Sequence, residues 1–563
     1  MKNTTYISII TGLLLLLGSC DDALEKLPLD APSDETFFSN QAELQLGING
    51  VYRSLYWRSG SLPYPMVMDN ATDLGFLRTD FSGMQTYSRG AHSSVTSGFS
   101  ETWQEMYSGI GRANNLLNNM DRAQDEVSEA FYQQVKAEAK FMRAYFYSWL
   151  IQLYGDVPYI TELQSLENAD VPRTPKAEII TNLFTDLDEA ASILPDSWGG
   201  SDEGRATKGA ALALKARIAL MNEQYDVAAQ AAQEVIDLGV YSLYPDYAEL
   251  FTYAGQRSAE VILDMPFLVG FVNTSVPQEQ GPRNSSCWSR LVPSQFVIDS
   301  YECTDGLPID ESPLYNPATP FENRDPRLDA SIIRPQSLFA TYVFETHPDS
   351  IETWQIIDGN AKRVANQDVL NPFASFTGYL WRKYTSETDL PNNRSNSELN
   401  FILMRYAEVL LTYAEAKIEL GQIDGSVLEA MNAVRARAYG VNASATAEYP
   451  AITTTDQDAL RRLIRRERKV ELADEGFRML DIHRWGIAEH VMPGTLLGRP
   501  KGAYADLSIV PEIDEYGHPQ YGSAEDQFRS VDQRVFEPGK DYLWPIPQKD
   551  IDVNDQLEQN PAY

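Results

Sequence analysis

Three carboxylates at four-residue spacing, Glu467, Glu471 and Glu475, would lie on one face of a helix. A glycoside hydrolase uses two carboxyl groups on opposite sides of a cleft, one of them with a raised pKa. Here arginines surround the carboxylates, and nearby positive charge keeps a carboxylate ionised. We therefore predict a structural ion-pair network rather than a catalytic pair. Its other predicted members are Arg468, Arg478, Asp481 and Arg484.

No other motif gives a catalytic signature. The segment Gly109-Ile-Gly111 begins like a dinucleotide fingerprint, but it lacks the third glycine and the preceding strand. The sequence contains no P-loop, nucleophile elbow or His-Glu-x-x-His motif. We predict a protein that is not an enzyme and has no cofactor or metal site; bound calcium stays open, without a ligand motif to support it. The five histidines lack ligand spacing: His92, His347, His483, His490 and His518.

Aromatic side chains in irregular stretches indicate a different chemistry, the binding of a sugar. The C–H face of a sugar ring stacks on an aromatic plane, while Asp, Asn and Arg bond to its hydroxyl groups. Residues 57–100 and 255–395 lack periodicity, and long irregular segments are commonly functional. For each aromatic ring, packing beneath a loop is the alternative. The candidate ligand-binding residues are Trp57, Tyr64, Asp73, Arg78, Phe81, Tyr87, Trp288, Trp354 and Trp381.

The composition excludes two classes of partner. The chain of 563 residues carries a formal net charge of −34, which disfavours phosphate backbones and anionic headgroups. We therefore predict neither nucleic-acid binding nor binding to a lipid surface. The basic run at 461–469 is interpreted as a solvated face or as intramolecular pairing. With 43% hydrophobic residues, the chain can bury a large core.

The N-terminus has the features of a lipoprotein signal. Lys2 precedes an apolar run that is too short to span a bilayer, which needs about 20 residues. The run ends in Leu17-Gly-Ser-Cys20, which predicts a signal peptide at 1–19, acylation of Cys20 and a lipidated tether at 20–35. The alternative is an ordinary signal peptide with an unmodified cysteine. No later segment is apolar enough to span a membrane, so a lipid anchor would be the sole membrane attachment.

Two further cysteines, Cys287 and Cys303, bear on the redox state. In an oxidising compartment they could form a disulfide. Neither has the Cys-x-x-Cys spacing of a metal site. Two buried free thiols are the alternative, and the sequence does not decide between them.

Helices in pairs must position these residues. Ala407, Leu410, Leu411, Ala414 and Ile418 form one apolar stripe, and its small side chains permit close helix packing. Similar alanine-rich pairs recur at about 101–240 and 400–490, which is typical of tetratricopeptide-like units. We predict a mostly α fold: a tetratricopeptide-like helix-pair scaffold with a loop-rich insertion that carries short strands.

Several segments resemble one family. They are Arg405-Tyr-Ala-Glu-Val-Leu-Leu-Thr-Tyr-Ala-Glu-Ala416, Glu475-Gly-Phe-Arg478, Arg484-Trp485 and Tyr542-Leu-Trp-Pro-Ile-Pro547. These segments are similar to the SusD/RagB family of outer-membrane lipoproteins of the Bacteroidetes, which capture nutrients. The resemblance covers nearly the whole mature chain and implies a single SusD-like domain at 36–563.

The resemblance also implies a function. A SusD-like protein would bind an oligosaccharide or polysaccharide at the cell surface and deliver it to a SusC-like TonB-dependent transporter. The protein would be anchored in the outer membrane and face the exterior. RagB-type members of the family bind peptides, so peptide capture is the first alternative. A surface glycoside hydrolase and a tetratricopeptide adaptor with only a protein partner are the others.

Overall fold

The computed structural model describes residues 37–164, 170–390 and 392–563. The predicted signal peptide, Cys20 and the tether lie outside these residues. Helices predominate, and none of those described is long and apolar enough to cross a membrane. In chain order the helices are α1 Gln41–Tyr52, α2 Tyr64–Asp69, α3 Met84–Ser88, α4 Ser97–Asn119, α5 Glu129–Tyr154, α6 Lys176–Ile193, α7 Lys208–Met221, α8 Tyr225–Asp237, α9 Tyr247–Leu250, α10 Val276–Gln280, α11 Gln295–Ser300, α12 Arg327–Ser331, α13 Gln367–Leu370, α14 Tyr406–Glu419, α15 Gly425–Ala438, α16 Gln457–Glu471, α17 Arg478–Arg484, α18 Ala488–Val491 and α19 Gln548–Ile551.

The strands are short and form small antiparallel sheets. The largest sheet described has four strands in the order β10-β9-β8-β7, and the others are two-stranded: β1-β2, β3-β5, β4-β12, β6-β11, β13-β16 and β14-β15. Their bounds are β1 Arg58–Ser59, β2 Leu62–Pro63, β3 Gly75–Leu77, β4 Val261–Met265, β5 Leu291–Pro293, β6 Ile332–Ile333, β7 Leu338–Phe339, β8 Tyr342–Val343, β9 Glu352–Ile357, β10 Asn360–Ala365, β11 Leu380–Trp381, β12 Phe401–Arg405, β13 Gly494–Pro500, β14 Glu512–Ile513, β15 Pro519–Gln520 and β16 Phe528–Arg534.

Successive helices pack as antiparallel pairs. Helix α4 packs on α5, α5 on α6, α6 on α7 and α7 on α8, while α14 packs on α8, α15 and α16. The stripe predicted for α14 is buried, and so is the face of α8 formed by Ala228, Ala231, Ala232 and Val235. Alanines at these crossings let the backbones approach closely. The mostly α helix-pair prediction is confirmed, and the predicted insertion carries half of the short strands, β4 to β11.

Helix α1 begins with a reciprocal cap. The backbone N–H of Glu43 donates to Asn40 Oδ1 at 3.1 Å, and the N–H of Ser39 donates to Glu43 Oε2 at 2.8 Å. Both groups would otherwise be unpaired at the helix N-terminus. The spacing of Asn40 and Glu43, at the N-cap and N3 positions, is the sequence pattern of this cap.

The predicted ion-pair network is also confirmed. Arg405 Nη1 lies 2.7 Å from Glu471 Oε1, and Arg405 Nε lies 2.7 Å from Glu475 Oε2. Arg327 Nη1 lies 2.6 Å from Glu467 Oε1. Burial alone would raise the pKa of Glu471, but Arg437, Arg405 and Arg327 outweigh it and hold that pKa well below its usual range. Glu471 is therefore held ionised, and the bonds from Glu467 and Glu471 to Arg327 tie α16 to the insertion.

Residues 57–100 correct one expectation. They were predicted to be an irregular ligand loop, yet they contain β1, β2, β3, α2 and α3, and residues 62–77 are buried. Asp69 explains part of this burial because it accepts the backbone N–H groups of Glu475, Gly476 and Arg478 at 2.9–3.0 Å. The segment is therefore held against the ion-pair region and forms part of the core.

Candidate functional site

Four predicted ligand-binding aromatic residues lie in the core. Trp57 is 3% exposed, stacks on Tyr64 with ring centroids 4.6 Å apart and meets the edge of Trp149. Trp381 is fully buried and donates its indole N–H to Asn70 Oδ1 at 2.8 Å. Tyr64 and Tyr87 are buried as well. None of these four rings offers a face to a sugar, so their assignment as ligand contacts is corrected.

The prediction of Asp73 as a ligand-binding residue is wrong, for an electrostatic reason. Asp73 is buried and pairs with Arg478 at 2.8 Å and with Lys469 at 3.0 Å. Burial would raise its pKa, but these two cations hold the pKa far below its usual range. Because both partners saturate the carboxylate, it belongs to the ion-pair network and not to a ligand site.

The two cysteines are free thiols. Cys287 and Cys303 are both buried and unbonded. Burial raises the pKa of Cys287 to about 12 and raises that of Cys303 as well. The disulfide is not formed, and the alternative of two buried thiols agrees with the structure.

The remaining candidates keep exposed surface. Phe81 is half-buried and packs against the main core. Trp354 lies on the β9–β10 hairpin, where it is 44% exposed and faces Arg363. Arg78 and Trp288 come together because β3 pairs with β5, and Arg78 Nη2 donates to the carbonyl oxygen of Trp288 at 2.7 Å.

Around this pair lies the arginine–aromatic cluster, which consists of Arg78, Arg283, Trp288, Arg290 and Phe373. The guanidinium of Arg290 lies 4.1 Å from the centroid of the Trp288 ring, and that of Arg78 lies 5.4 Å from the Phe373 ring. Arg283 donates twice to the carbonyl oxygen of Phe373, at 2.6 and 2.9 Å. The Phe373 ring is 57% exposed. The cluster thus offers an aromatic face beside hydrogen-bond donors.

A cleft of 690 Å³ opens beside the cluster. It is lined by part of the segment 366–377, by Thr346 and Pro348, and by Lys501 and residues 529–531. The ring of Phe376 is 39% exposed in this lining and stacks on buried Phe76, with centroids 5.9 Å apart. Phe373 in the cluster and Phe376 in the cleft are three residues apart, so the segment 366–377 joins both.

The segment 366–377 is held in place by buried polar contacts. Asn366 Nδ2 donates to two backbone carbonyl oxygens, and Asp368 accepts the backbone N–H of Arg283 at 2.7 Å and Asn284 Nδ2 at 2.7 Å. Gly378, which follows the segment directly, has φ +85°, and a side-chain Cβ atom at this position would lie only 2.5 Å from Arg499 Cγ. The two phenylalanine rings are therefore displayed on an ordered support, which lowers the entropy lost on binding.

Two carboxyl groups near the cluster have raised pKa values. Burial raises the pKa of Glu279 to about 7, against the opposing effect of Arg290, Arg78 and Arg283, and raises that of Asp368 to about 6. Glu279 is nevertheless only 3.3 Å from Arg290, and Asp368 is occupied by backbone donors. Both groups are buried and engaged, so the arrangement favours binding over acid–base hydrolysis.

The larger cleft, of 720 Å³, has a different lining. Arg435 and Lys469 line it, and both pair with buried carboxylates. Among the described residues that line it, the one aromatic ring is Tyr516, which is already stacked on His490. This cleft lacks a free stacking surface. Within the described part of the chain, no group of three His, Cys, Asp or Glu side chains is placed to hold a metal ion.

Comparisons with known proteins identify the fold family. The sequence model described as "SusD family" matches residues 269–563, more than half of the chain. The chain belongs to the SusD family. A second family model, described as "Starch-binding associating with outer membrane", matches residues 24–220 of this SusD-family chain. The two matches meet at the cluster, since Arg78 lies in one and its partners lie in the other.

Individual relatives agree with the assignment to the SusD family. SusD-like protein P2 of Formosa agariphila is 27% identical over 580 residues, which cover 98% of each chain. The crystal structure of a SusD-like carbohydrate-binding protein of Bacteroides fragilis has a TM-score of 0.80 at 28% identity and covers 93% of this chain and 100% of that one. A laminarin-binding SusD-like protein has a TM-score of 0.68 at 23% identity, with 93% and 100% coverage, and shows the likeness of fold alone.

The sequence did not predict four residues of this candidate site: Arg283, Arg290, Phe373 and Phe376. The two phenylalanines lie in the irregular insertion, in Asn371-Pro-Phe-Ala-Ser-Phe-Thr-Gly378. An aromatic ring between Pro and Gly, without periodicity, was the signal that could have identified them. The candidates predicted in residues 255–395 were tryptophans alone.

Proposed function

We propose that this protein is a surface lipoprotein that captures a glycan and delivers it to a SusC-like TonB-dependent transporter. The observation that carries the binding part is the pair of exposed rings, Phe373 and Phe376, on one ordered segment beside arginine donors. A pyranose can stack on either ring while guanidinium groups bond to its hydroxyls. Binding needs no chemical step, and the buried, engaged carboxyl groups provide no exposed acid–base pair.

The cellular part of the proposal has separate support. The Leu17-Gly-Ser-Cys20 sequence supports acylation of Cys20 and anchoring in the outer membrane with the protein facing outward. The description of the second family model, association with the outer membrane, agrees with that location. A lipid-anchored binder cannot import its ligand by itself, so a transporter partner follows from the function.

A binding screen tests the capture of a glycan. The detergent-extracted full-length lipoprotein is applied to a glycan array and, in parallel, to a library of unmodified peptides. We expect retention of oligosaccharides, no selection of peptides, and no shortening of the retained oligosaccharides on prolonged incubation. Selection of peptides alone would replace glycan capture by peptide capture, and hydrolysis products would establish an enzyme instead.

Two experiments in the native membrane test the cellular part. Wild-type protein should incorporate a palmitate analogue, and Cys20→Ala should abolish the label and release the protein. Extraction of the tagged protein in mild detergent should recover a large outer-membrane barrel. Recovery of the lipoprotein alone under several solubilisation conditions would contradict delivery to a transporter.

A further inference from the structure

The arginine–aromatic cluster contains positive charge that no carboxylate neutralises directly. Among the described residues, the side chains of Arg78 and Arg283 donate only to backbone carbonyl oxygens, those of Trp288 and Phe373. Arg290 has one carboxylate partner, Glu279, at 3.3 Å. Of these three guanidinium groups, only that of Arg290 is bonded directly to a carboxylate in the described residues.

This arrangement differs from the ion-pair network. There Arg405 bonds to three carboxylates, and Arg327 and Arg435 each bond to at least two.

In the cluster the guanidinium groups outnumber the acidic groups. Glu279 acts on Arg78, and both Glu279 and Asp368 act on Arg283, so two carboxyl groups face three guanidinium groups. A net positive charge therefore remains at a partly exposed site, where an anion from outside can meet it.

The surroundings of Arg78 also show unused donors. Its Nε and that of Arg290 are buried without a hydrogen-bond partner in the described residues. Burial, together with the positive charges of Arg283 and Arg290, lowers the pKa of Arg78 to about 10. An anion placed between these guanidinium groups would offset the repulsion between their charges and accept hydrogen bonds from the unpaired N–H groups.

We propose that this cluster recognises an oxyanion on the bound glycan, either the carboxylate of a uronic acid or a sulfate ester. This inference rests on the proposed glycan-binding function and names its substrate class. The planar fork of a guanidinium matches both groups, since each presents two or more oxygens at the spacing of its N–H donors. The Phe373 ring stacks against the sugar that carries the anion, while Arg78 and Arg283 bind the charged oxygens.

The adjoining cleft has the same sign of charge. Lys501 and Arg529 line it, and Asp368 is the one acidic residue among its described lining residues. Arg529 and Lys501 also donate to backbone carbonyl oxygens, those of Thr346 and Asp526. A longer anionic glycan would therefore pass from the cluster into a basic cleft. Successive charged sugars on it would then contact the cluster arginines and the basic residues of the cleft.

Matched pairs of oligosaccharides test the proposal on the detergent-extracted full-length protein by isothermal titration calorimetry. One pair is oligogalacturonate and its methyl ester, which removes the carboxylate charge. The other is an oligosaccharide of κ-carrageenan and its desulfated form. We expect one charged member to bind at least about tenfold more tightly than its neutral partner, since charged hydrogen bonds are the stronger ones. The affinity for it should fall as salt increases.

Variants locate the effect. Arg78→Gln and, independently, Arg283→Gln should each reduce the preference for the charged member about tenfold or abolish it. Arg334→Gln is the matched control, because Arg334 also lies over an aromatic ring, that of Phe321, outside the cluster. The calorimetry on wild-type protein does not depend on the folding of any variant.

The results separate this inference from the proposed function. Equal affinity within both pairs, or tight binding of neutral glycans only, would overturn the anionic preference while leaving glycan capture intact. A preference that persists in both arginine variants would also overturn it. Failure of every charged and neutral glycan to bind would contradict the proposed function itself.

Discussion

The guanidinium of Arg78 lies 5.4 Å from the centroid of the Phe373 ring, although the two residues are far apart in the sequence. The contact exists because β3 pairs with β5 and because Arg283 and Asp368 fix the position of the segment that carries Phe373. A donor from the first part of the chain thereby meets an exposed ring of the insertion. The site is assembled by the fold and does not lie within any one motif.

Replacement of Trp57 should reveal a structural role. Trp57→Ala removes a buried ring packed on Tyr64 and Trp149, so we expect a loss of about 3–5 kcal/mol in the free energy of unfolding. Glycan affinity of the folded fraction should not change. Trp354→Ala is the control, since that ring is exposed on its hairpin. Chemical denaturation measures the free energy of unfolding of both variants, and small, equal losses would contradict the assignment of Trp57 to the core.

Removal of one charge from the ion-pair network should be strongly destabilising. Glu471→Gln removes the carboxylate that Arg405, Arg437 and Arg327 all contact. Breaking a buried ion pair costs roughly 3–5 kcal/mol. Asp458→Asn is the control, because its pair with Arg461 is on the surface. If Glu471→Gln unfolded at the same denaturant concentration as wild type, the network would not stabilise the fold.

How far the sequence predicts this structure depends on the range of the contacts. The stripe on α14 and the Asn40 cap were predictable, because both depend on residues within two helical turns. The ion-pair network followed from charge spacing on α16. The burial of Trp57 was not predictable, since Trp57 lies in a loop, its partner Trp149 belongs to α5, and no local pattern links the two.

The site shows the same limit. Its residues lie in stretches without periodicity, where the sequence gives composition but no geometry. Arg78 and Trp288 keep partly exposed surface and contact each other, whereas Trp381 had the same sequence features and is buried beside Asn70. Strand pairing and the support of the segment 366–377 decide which rings reach the surface, and these are tertiary features.

Two buried carboxyl groups should each contribute less to stability as pH rises through neutrality. Burial raises the pKa of Asp69 and of Glu279 to about 7, above the values in the unfolded chain, and raises that of Asp474 well above its usual range. A group with a raised pKa binds more protons in the folded state, so its contribution is present at low pH and is lost through the folded pKa. Asp69 and Glu279 together should lose about 1–2 kcal/mol between pH 6.5 and 8.5.

The buried histidines act in the opposite direction over the same range. Burial lowers the pKa of His92 to about 3 and those of His483 and His518 to about 4, whereas a histidine in the unfolded chain is still about half protonated at pH 6.5. The unfolded state therefore binds more protons at these sites, and their contribution to stability rises with pH. Thermal unfolding at constant ionic strength measures the slope. The histidines are the same in wild type and in Glu279→Gln, so the difference between the two slopes isolates this carboxyl group. Wild type should lose about 1 kcal/mol more than the variant between pH 6.5 and 8.5, and equal slopes would contradict the assignment.

The thiols provide a check on the redox state. Because Cys287 and Cys303 are buried and free, neither should react with a thiol reagent in the native protein. Unfolding without reductant should expose both, and the reagent should then count two thiols. A count of zero after unfolding would reveal a disulfide, and rapid reaction before unfolding would contradict their burial.

The central claim is that Phe373 and Phe376 form the stacking surface for a glycan. Calorimetry with the tightest oligosaccharide from the array, on Phe373→Ala and Phe376→Ala, tests it most directly. We predict a loss of about 1 kcal/mol or more of binding free energy for each variant, with melting temperatures close to wild type. Phe271→Ala, at a ring that is 83% exposed in another loop, should bind like wild type. Unchanged affinity in both folded variants would show that the glycan binds elsewhere.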